Sequence, residues 1–270
     1  MLRGMANSAQ VTHGQRLWLY GINVLVLAFL IVPCLLIIPM SLSASRYLDF
    51  PPDQWSLRWY AELFRSPEWR QAGAISLTVA AITTAIATPI GTAAAYGLHH
   101  VEGRIGRFAR VVFLLPMVAP SILVAIGLFF VYARVGLNNS ILGLVLADTM
   151  LAIPYVIVTV SAGLASADLD QEQAARSLGA HRLKAFRDTT FPQIRFSVLT
   201  GALFAFVTAF DEVVIALFIS GGSTSTLTKR MFNSIRDEVD PRVAALSSIV
   251  VLLSFGLLLA GRALSRRTQA

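Results

Sequence analysis

Six apolar runs, each long enough to cross a bilayer as a helix, dominate this 270-residue chain and decide which class of fold is open to it. They occupy residues 17–40, 72–98, 111–133, 141–164, 196–220 and 243–264. At about 1.5 Å of rise per residue, each covers a hydrocarbon core of roughly 30 Å. Only 14% of the residues are charged and 56% are hydrophobic, whereas soluble domains carry roughly 25% charge. These figures exclude a water-soluble enzyme, a disordered chain and a disulfide scaffold. The first run is too long for the roughly 7–15-residue core of a signal peptide, so it reads as a retained span. The lone cysteine, Cys34, lies inside that run, which leaves no internal disulfide and no cysteine metal cluster. The sequence therefore predicts an all-α integral membrane protein with six transmembrane helices. Residues 1–16 form an N-terminal segment, 17–264 the membrane domain and 265–270 a tail.

The net charge of +7 has a topological reading. With both termini on the cytoplasmic side, thirteen of the 22 Lys and Arg residues fall inside and nine outside. Five acidic residues lie inside, seven outside and three within spans. The bias follows the positive-inside rule and makes the basic charge a matter of orientation rather than nucleic-acid binding.

The spans are rich in small residues, as in Ala72-Gly-Ala-Ile-Ser-Leu-Thr-Val-Ala-Ala81, which allow helices to approach closely. Pro89, Pro116, Pro120 and Pro154 are expected to break or kink spans two, three and four, as tolerated where backbone lines a cavity. In the outer loops, residues 56–64 and the series Leu227, Met231, Ile235 and Val239 predict short amphipathic helices. These either rest on the bilayer or receive a soluble partner. Trp55, Trp59, Tyr60 and Trp69 suit an interfacial belt, and Asp240-Pro241 is a start signal for the sixth span.

The cytoplasmic loop at 165–195 is the most informative stretch. Asp170-Gln-Glu-Gln-Ala-Ala-Arg-Ser-Leu-Gly179 reads as a first short helix ending at glycine. Arg182, Lys184 and Arg187 make a second helix basic, and Pro192 is expected to end it. The loop resembles the EAA loop of ABC importer permeases: Gln173-Ala174-Ala175, Gly179 and Pro192 fall at that motif's spacing, with Glu172 supplying a carboxylate one position early. Segments 114–127, 152–164, 210–221 and 229–241 extend the likeness to the spermidine/putrescine-type permeases, and to their second, PotC-like subunit in particular. This resemblance implies the type I importer (MetI-like) fold in a bacterial inner membrane. It also implies a second, PotB-like permease, two ATP-binding cassette subunits and a periplasmic binding protein as partners. Glu172, Gln173, Ala174, Ala175, Gly179, Arg182, Arg187 and Pro192 become the residues that couple to the ATPase.

The chain carries no phosphate-binding loop of its own. Such a loop needs Gly-Lys before Ser or Thr, but Lys184 follows Leu183 and Lys229 follows Thr228. ATP and Mg²⁺ are thus expected on partner subunits, with no catalytic constellation, metal site or cofactor in this chain. The three acids within spans, Asp148, Asp211 and Glu212, are candidates for a cation path, because ionisable groups at membrane depth are costly. Counted along their helices, Asp148 and Asp211 each sit about 25 Å from the cytoplasmic end. They either pair with Arg134, a partner's arginine or a broken helix end, or they pass a cationic solute. Other solutes of related importers (an opine, an aminophosphonate, ferric iron) remain open, as does an ATP-independent secondary transporter or channel.

Overall fold

The computed structural model describes residues 17–47, 49–101, 103–237 and 239–252. Among the described residues the secondary structure is helical apart from one isolated bridge, Ser43 with Trp55. The helices are α1 (Leu17–Ser41), α2 (Arg58–Arg65), α3 (Pro67–His100), α4 (Gly103–Val118), α5 (Ser121–Val135) and α6 (Ile141–Ser166). They continue as α7 (Asp170–Ser177), α8 (Arg182–Ala185), α9 (Phe191–Asp211), α10 (Val214–Ile219), α11 (Leu227–Asp237) and α12 (Arg242–Leu252).

Among the described residues, four helical stretches are long and apolar enough to span a bilayer: Trp18–Ser41, Pro67–His100, Ile141–Ser166 and Arg182–Asp211. The expected third span is instead two helices, α4 and α5, bent by 96° at Ala119-Pro120. Pro120 has no N–H to continue the ladder and its ring disfavours helical backbone at Ala119, so the chain turns there although hydropathy is uninterrupted. Counting that pair as one span gives five. The expected sixth begins at Arg242, and most of it lies outside the described residues, as do segments 1–16 and 265–270. Pro89, Pro116 and Pro154, expected to break or kink their spans, lie inside continuous helices.

The larger compact unit is Pro67–Asn233. Its centre is a three-helix contact of α3, α6 and α9, where Ala87, Ala95, Ala152, Val156, Val160, Ile194 and Ala205 are buried together. Lipid tails are as apolar as these side chains, so close van der Waals contact rather than water exclusion holds such helices together. Glycines set the separation. A Cβ on Gly91 of α3 would stand 2.6 Å from the Val156 Cβ of α6, and one on Gly201 of α9 would stand 2.7 Å from Thr159 Oγ1. A second cluster joins α5, α6 and α10 through Ala125, Tyr132, Leu144, Ala147, Ile215 and Ile219.

The other unit comprises Met1–Ser66 and Ser234–Ala270. In its described part, Trp59 of α2 is buried and donates to Ser45 O at 3.1 Å. The Tyr60 hydroxyl meets Ser41 Oγ at 2.7 Å and Ser248 Oγ at 2.5 Å. Trp59 and Trp69 are therefore interior side chains of their units rather than members of an interfacial belt, whereas Trp55 is exposed. Asp240 starts α12 as expected, its carboxylate accepting the Arg242 N–H at 2.9 Å. Val239 falls outside α11 at φ 50°, so the four-residue apolar repeat stops at Ile235.

Candidate functional site

The loop at 165–195 folds as two short helices around a glycine turn. α7 closes in a Schellman arrangement: Gly179 N–H donates to Arg176 O at 3.0 Å and Ala180 N–H to Ala175 O at 3.1 Å. That turn holds Gly179 at φ +93°, a conformation that L side chains rarely adopt. α8 is then capped by His181, whose Nδ1 accepts the Lys184 N–H at 3.3 Å. Pro192 does not end this helix. Residues 186–190 form a π turn that carries α8 into α9 as one stretch, Arg182–Asp211. Phe191 N–H reaches back five residues to Phe186 O, and this wider turn makes room for the proline ring that a regular helix would exclude.

The roots of the loop are tied by a residue that composition did not single out. Gln193, in the first turn of α9, accepts the Asp168 N–H through Oε1 at 2.9 Å. Its Nε2 donates to Thr189 O at 3.0 Å and Asp168 O at 3.3 Å. One side chain thus bridges the end of α6 to the start of α9.

Among the expected coupling residues, Gln173, Ala174, Gly179, Arg182, Arg187 and Pro192 face solvent, while Ala175 is half-buried. Leu178 and Leu183, flanking the turn, are 90% and 71% exposed. Glu172 behaves differently: it is only 3% exposed. Its two carboxylate oxygens accept the hydroxyls of Tyr96, near the end of α3, and Thr190, at the end of the π turn. Tyr96 also meets Phe186 edge-on at 4.8 Å and carries the Arg182 guanidinium 5.6 Å from its ring centre. Neither Tyr96 nor Thr190 carries a local sequence signal that marks it. The only hint was the carboxylate standing one place early.

The three intramembrane acids separate. Asp148 of α6 is 3% exposed, and its Oδ1 has no hydrogen-bond partner among the described residues. Glu212 is not helical: α9 ends at Asp211, Glu212 is extended, and its carboxylate accepts the N–H groups of Ile215 at 3.0 Å and Ala216 at 3.1 Å. Glu212 therefore caps a broken helix end, one of the pairings open from sequence. At the other end of α10, Lys229 Nζ donates to Leu217 O at 3.1 Å and to Ser220 O. Burial holds that ammonium below the usual lysine range. The six residues of α10 thus sit between an anion at their positive end and a cation at their negative end. Asp211, the last residue of α9, is exposed, whereas Asp148 is buried.

Residues 87–270 match the family described as binding-protein-dependent transport system inner membrane component. The chain is 30% identical over 245 residues to the spermidine/putrescine transport system permease protein PotC of Haemophilus influenzae, covering 90% of this chain and 95% of that protein. It is 32% identical over 245 residues to the putrescine transport system permease protein PotI of Escherichia coli K12, covering 87% and 85%. Among solved structures, a chain of a bacterial ABC transporter that imports the acidic polysaccharide alginate superposes with TM-score 0.69 at 15% identity, covering 94% and 98%. A chain of an amino acid ABC transporter gives TM-score 0.56 at 20% identity, covering 77% and 98%.

Proposed function

Because the chain belongs to the family of binding-protein-dependent transport system inner membrane components, we propose that it is one of the two permeases of an ATP-driven polyamine importer. The observation that carries the coupling role is the cytoplasmic knuckle. α7 and α8 present Leu178 and Leu183 to solvent on either side of a glycine turn, with Arg182, Lys184 and Arg187 around them. Exposed leucines amid cations offer a soluble protein an apolar foothold with charge to orient it. That soluble protein is an ATP-binding cassette subunit, which binds ATP and Mg²⁺. Its closure displaces the knuckle, and Gln193, spanning residues 168 and 193, carries the displacement to the roots of α6 and α9 together.

The second permease is a PotB-like subunit, and a periplasmic binding protein delivers the solute. Both termini are cytoplasmic, in keeping with the excess of arginine on that side. Relatives that match along 85–95% of their length and are named for spermidine and putrescine support a polyamine as the solute. So does Asp148, a buried carboxylate whose Oδ1 lacks a partner among the described residues. A protonated amine supplies both the charge and the donors that such an oxygen needs.

Uptake of labelled spermidine and putrescine by cells in which this importer is deleted and restored tests the reading. Restored uptake, competed by either polyamine and not by ferric iron, an opine or an aminophosphonate, is the expected result. Competition by one of those solutes instead reassigns the substrate.

A further inference from the structure

We propose that Glu172 is a mechanical tether rather than a docking contact: its buried carboxylate locks the coupling helix α7 to span α3 and to the π turn that leads into α9. This rests on the coupling reading above and adds to it the route by which the knuckle moves the second span. Gln193 ties only α6 and α9, which are already the two strands of the loop. Without a third tie, α3 would sense motion of the knuckle only through side-chain packing. Glu172 provides that tie across 76 residues of sequence to Tyr96, while its other oxygen holds Thr190, 18 residues on.

The neighbouring positions fit this division of labour. Gln173 and Ala174 are exposed and available to a partner, whereas Glu172 is buried. Both of its oxygens are already engaged, so reaching an outside cation would break two hydrogen bonds. Tyr96 is itself braced by Phe186 and Arg182 from the basic helix, so α7, α8 and α3 meet at one phenol ring. Buried hydrogen bonds of this kind fix geometry because leaving either partner unmet is costly.

A tether and a charge contact respond oppositely to two conservative changes. Glu172→Gln keeps the length and can still accept from Tyr96 while donating to Thr190 Oγ1, whose own hydrogen can turn to a backbone carbonyl within its helix. Glu172→Asp keeps the charge but is one methylene too short to hold both hydroxyls. The complete complex in proteoliposomes, with both permeases, the ATPases and the binding protein, reports solute moved per ATP hydrolysed, and co-purification of the subunits reports assembly.

The tether predicts that Glu172→Asp and Tyr96→Phe assemble and hydrolyse ATP but lower that ratio by about fivefold, the factor that one lost hydrogen bond typically carries. Glu172→Gln should stay near wild type, and Thr190→Val should fall between. Glu172→Asp at the wild-type ratio with Glu172→Gln impaired overturns the inference in favour of a charge contact. Equal losses of uptake, hydrolysis and assembly in Glu172→Asp and Tyr96→Phe overturn it in favour of a folding role. If the unmutated complex moves solute without ATP, the coupling reading falls and takes the inference with it.

Discussion

Replacing Gly91 by alanine tests the three-helix centre on which the membrane domain is built. The added Cβ would stand 2.6 Å from Val156 Cβ, 2.7 Å from Val156 Cγ1 and 3.3 Å from Ile153 O. Carbon atoms pack at about 3.5–4.0 Å, so α3 and α6 must part by about 1 Å at this point. Val156 cannot swing aside: it is fully buried and belongs to the same cluster as Ala152, Val160 and Ala205. Overpacking of this kind costs about 1–3 kcal/mol. Gly97, on the same helix, has nothing within 4 Å of its added Cβ and supplies the control. There, alanine gains helix propensity without a clash. Melting of the detergent-solubilised complex by scanning fluorimetry reads the difference. At about 2–4 °C per kcal/mol, a cost of about 1–3 kcal/mol should make Gly91→Ala melt roughly 2–12 °C below Gly97→Ala. Equal melting temperatures would show that α3 and α6 do not approach as closely as described.

At the glycine turn, Gly179→Ala meets no neighbour, so its cost comes from the backbone at φ +93° alone. About 1–2 kcal/mol of strain should weaken ATPase binding to the permease pair by roughly 5–30-fold, with Gly179→Asp weaker still and Gly179→Asn milder; titration of the ATPase onto the purified pair measures it. Glu212→Ala removes the acceptor for two N–H groups at the start of α10. A lost cap of about 0.5–2 kcal/mol should speed hydrogen exchange across Val214–Ile219, and unchanged protection there contradicts the capping role. Asp148→Asn should raise the half-saturation concentration for polyamine uptake while assembly stays normal. Asp211→Asn, altering an exposed group at the helix break, should have the smaller effect; the reverse order would move the cation path to Asp211.

Those positions also mark how far the sequence could be read. Long apolar runs gave α1, α3 and α6 within a few residues, because hydropathy and length alone decide whether a helix spans. The break at Ala119-Pro120 was marked by its proline, whereas the one at Glu212 was hidden, since apolar residues continue on both sides and only the backbone departs. Pro192 pointed to a helix end, yet a π turn absorbed it, with Phe191 N–H reaching back to Phe186 O. The EAA-like spacing located the loop and its turn. What it could not give was the inward aim of Glu172, because that depends on Tyr96, brought beside the loop only by the contact of α3 with α6 and α9.

The central claim, that this membrane chain moves a polyamine only when a soluble ATPase pulls on its cytoplasmic knuckle, has a direct test. Both permeases and the ATPases are reconstituted in proteoliposomes, and binding-protein-dependent accumulation of labelled spermidine is followed with ATP, without it, and with a non-hydrolysable analogue. Accumulation against a gradient with ATP alone, abolished by Gly179→Asp, is the predicted result. Accumulation that proceeds equally without ATP, or that survives Gly179→Asp undiminished, would contradict it.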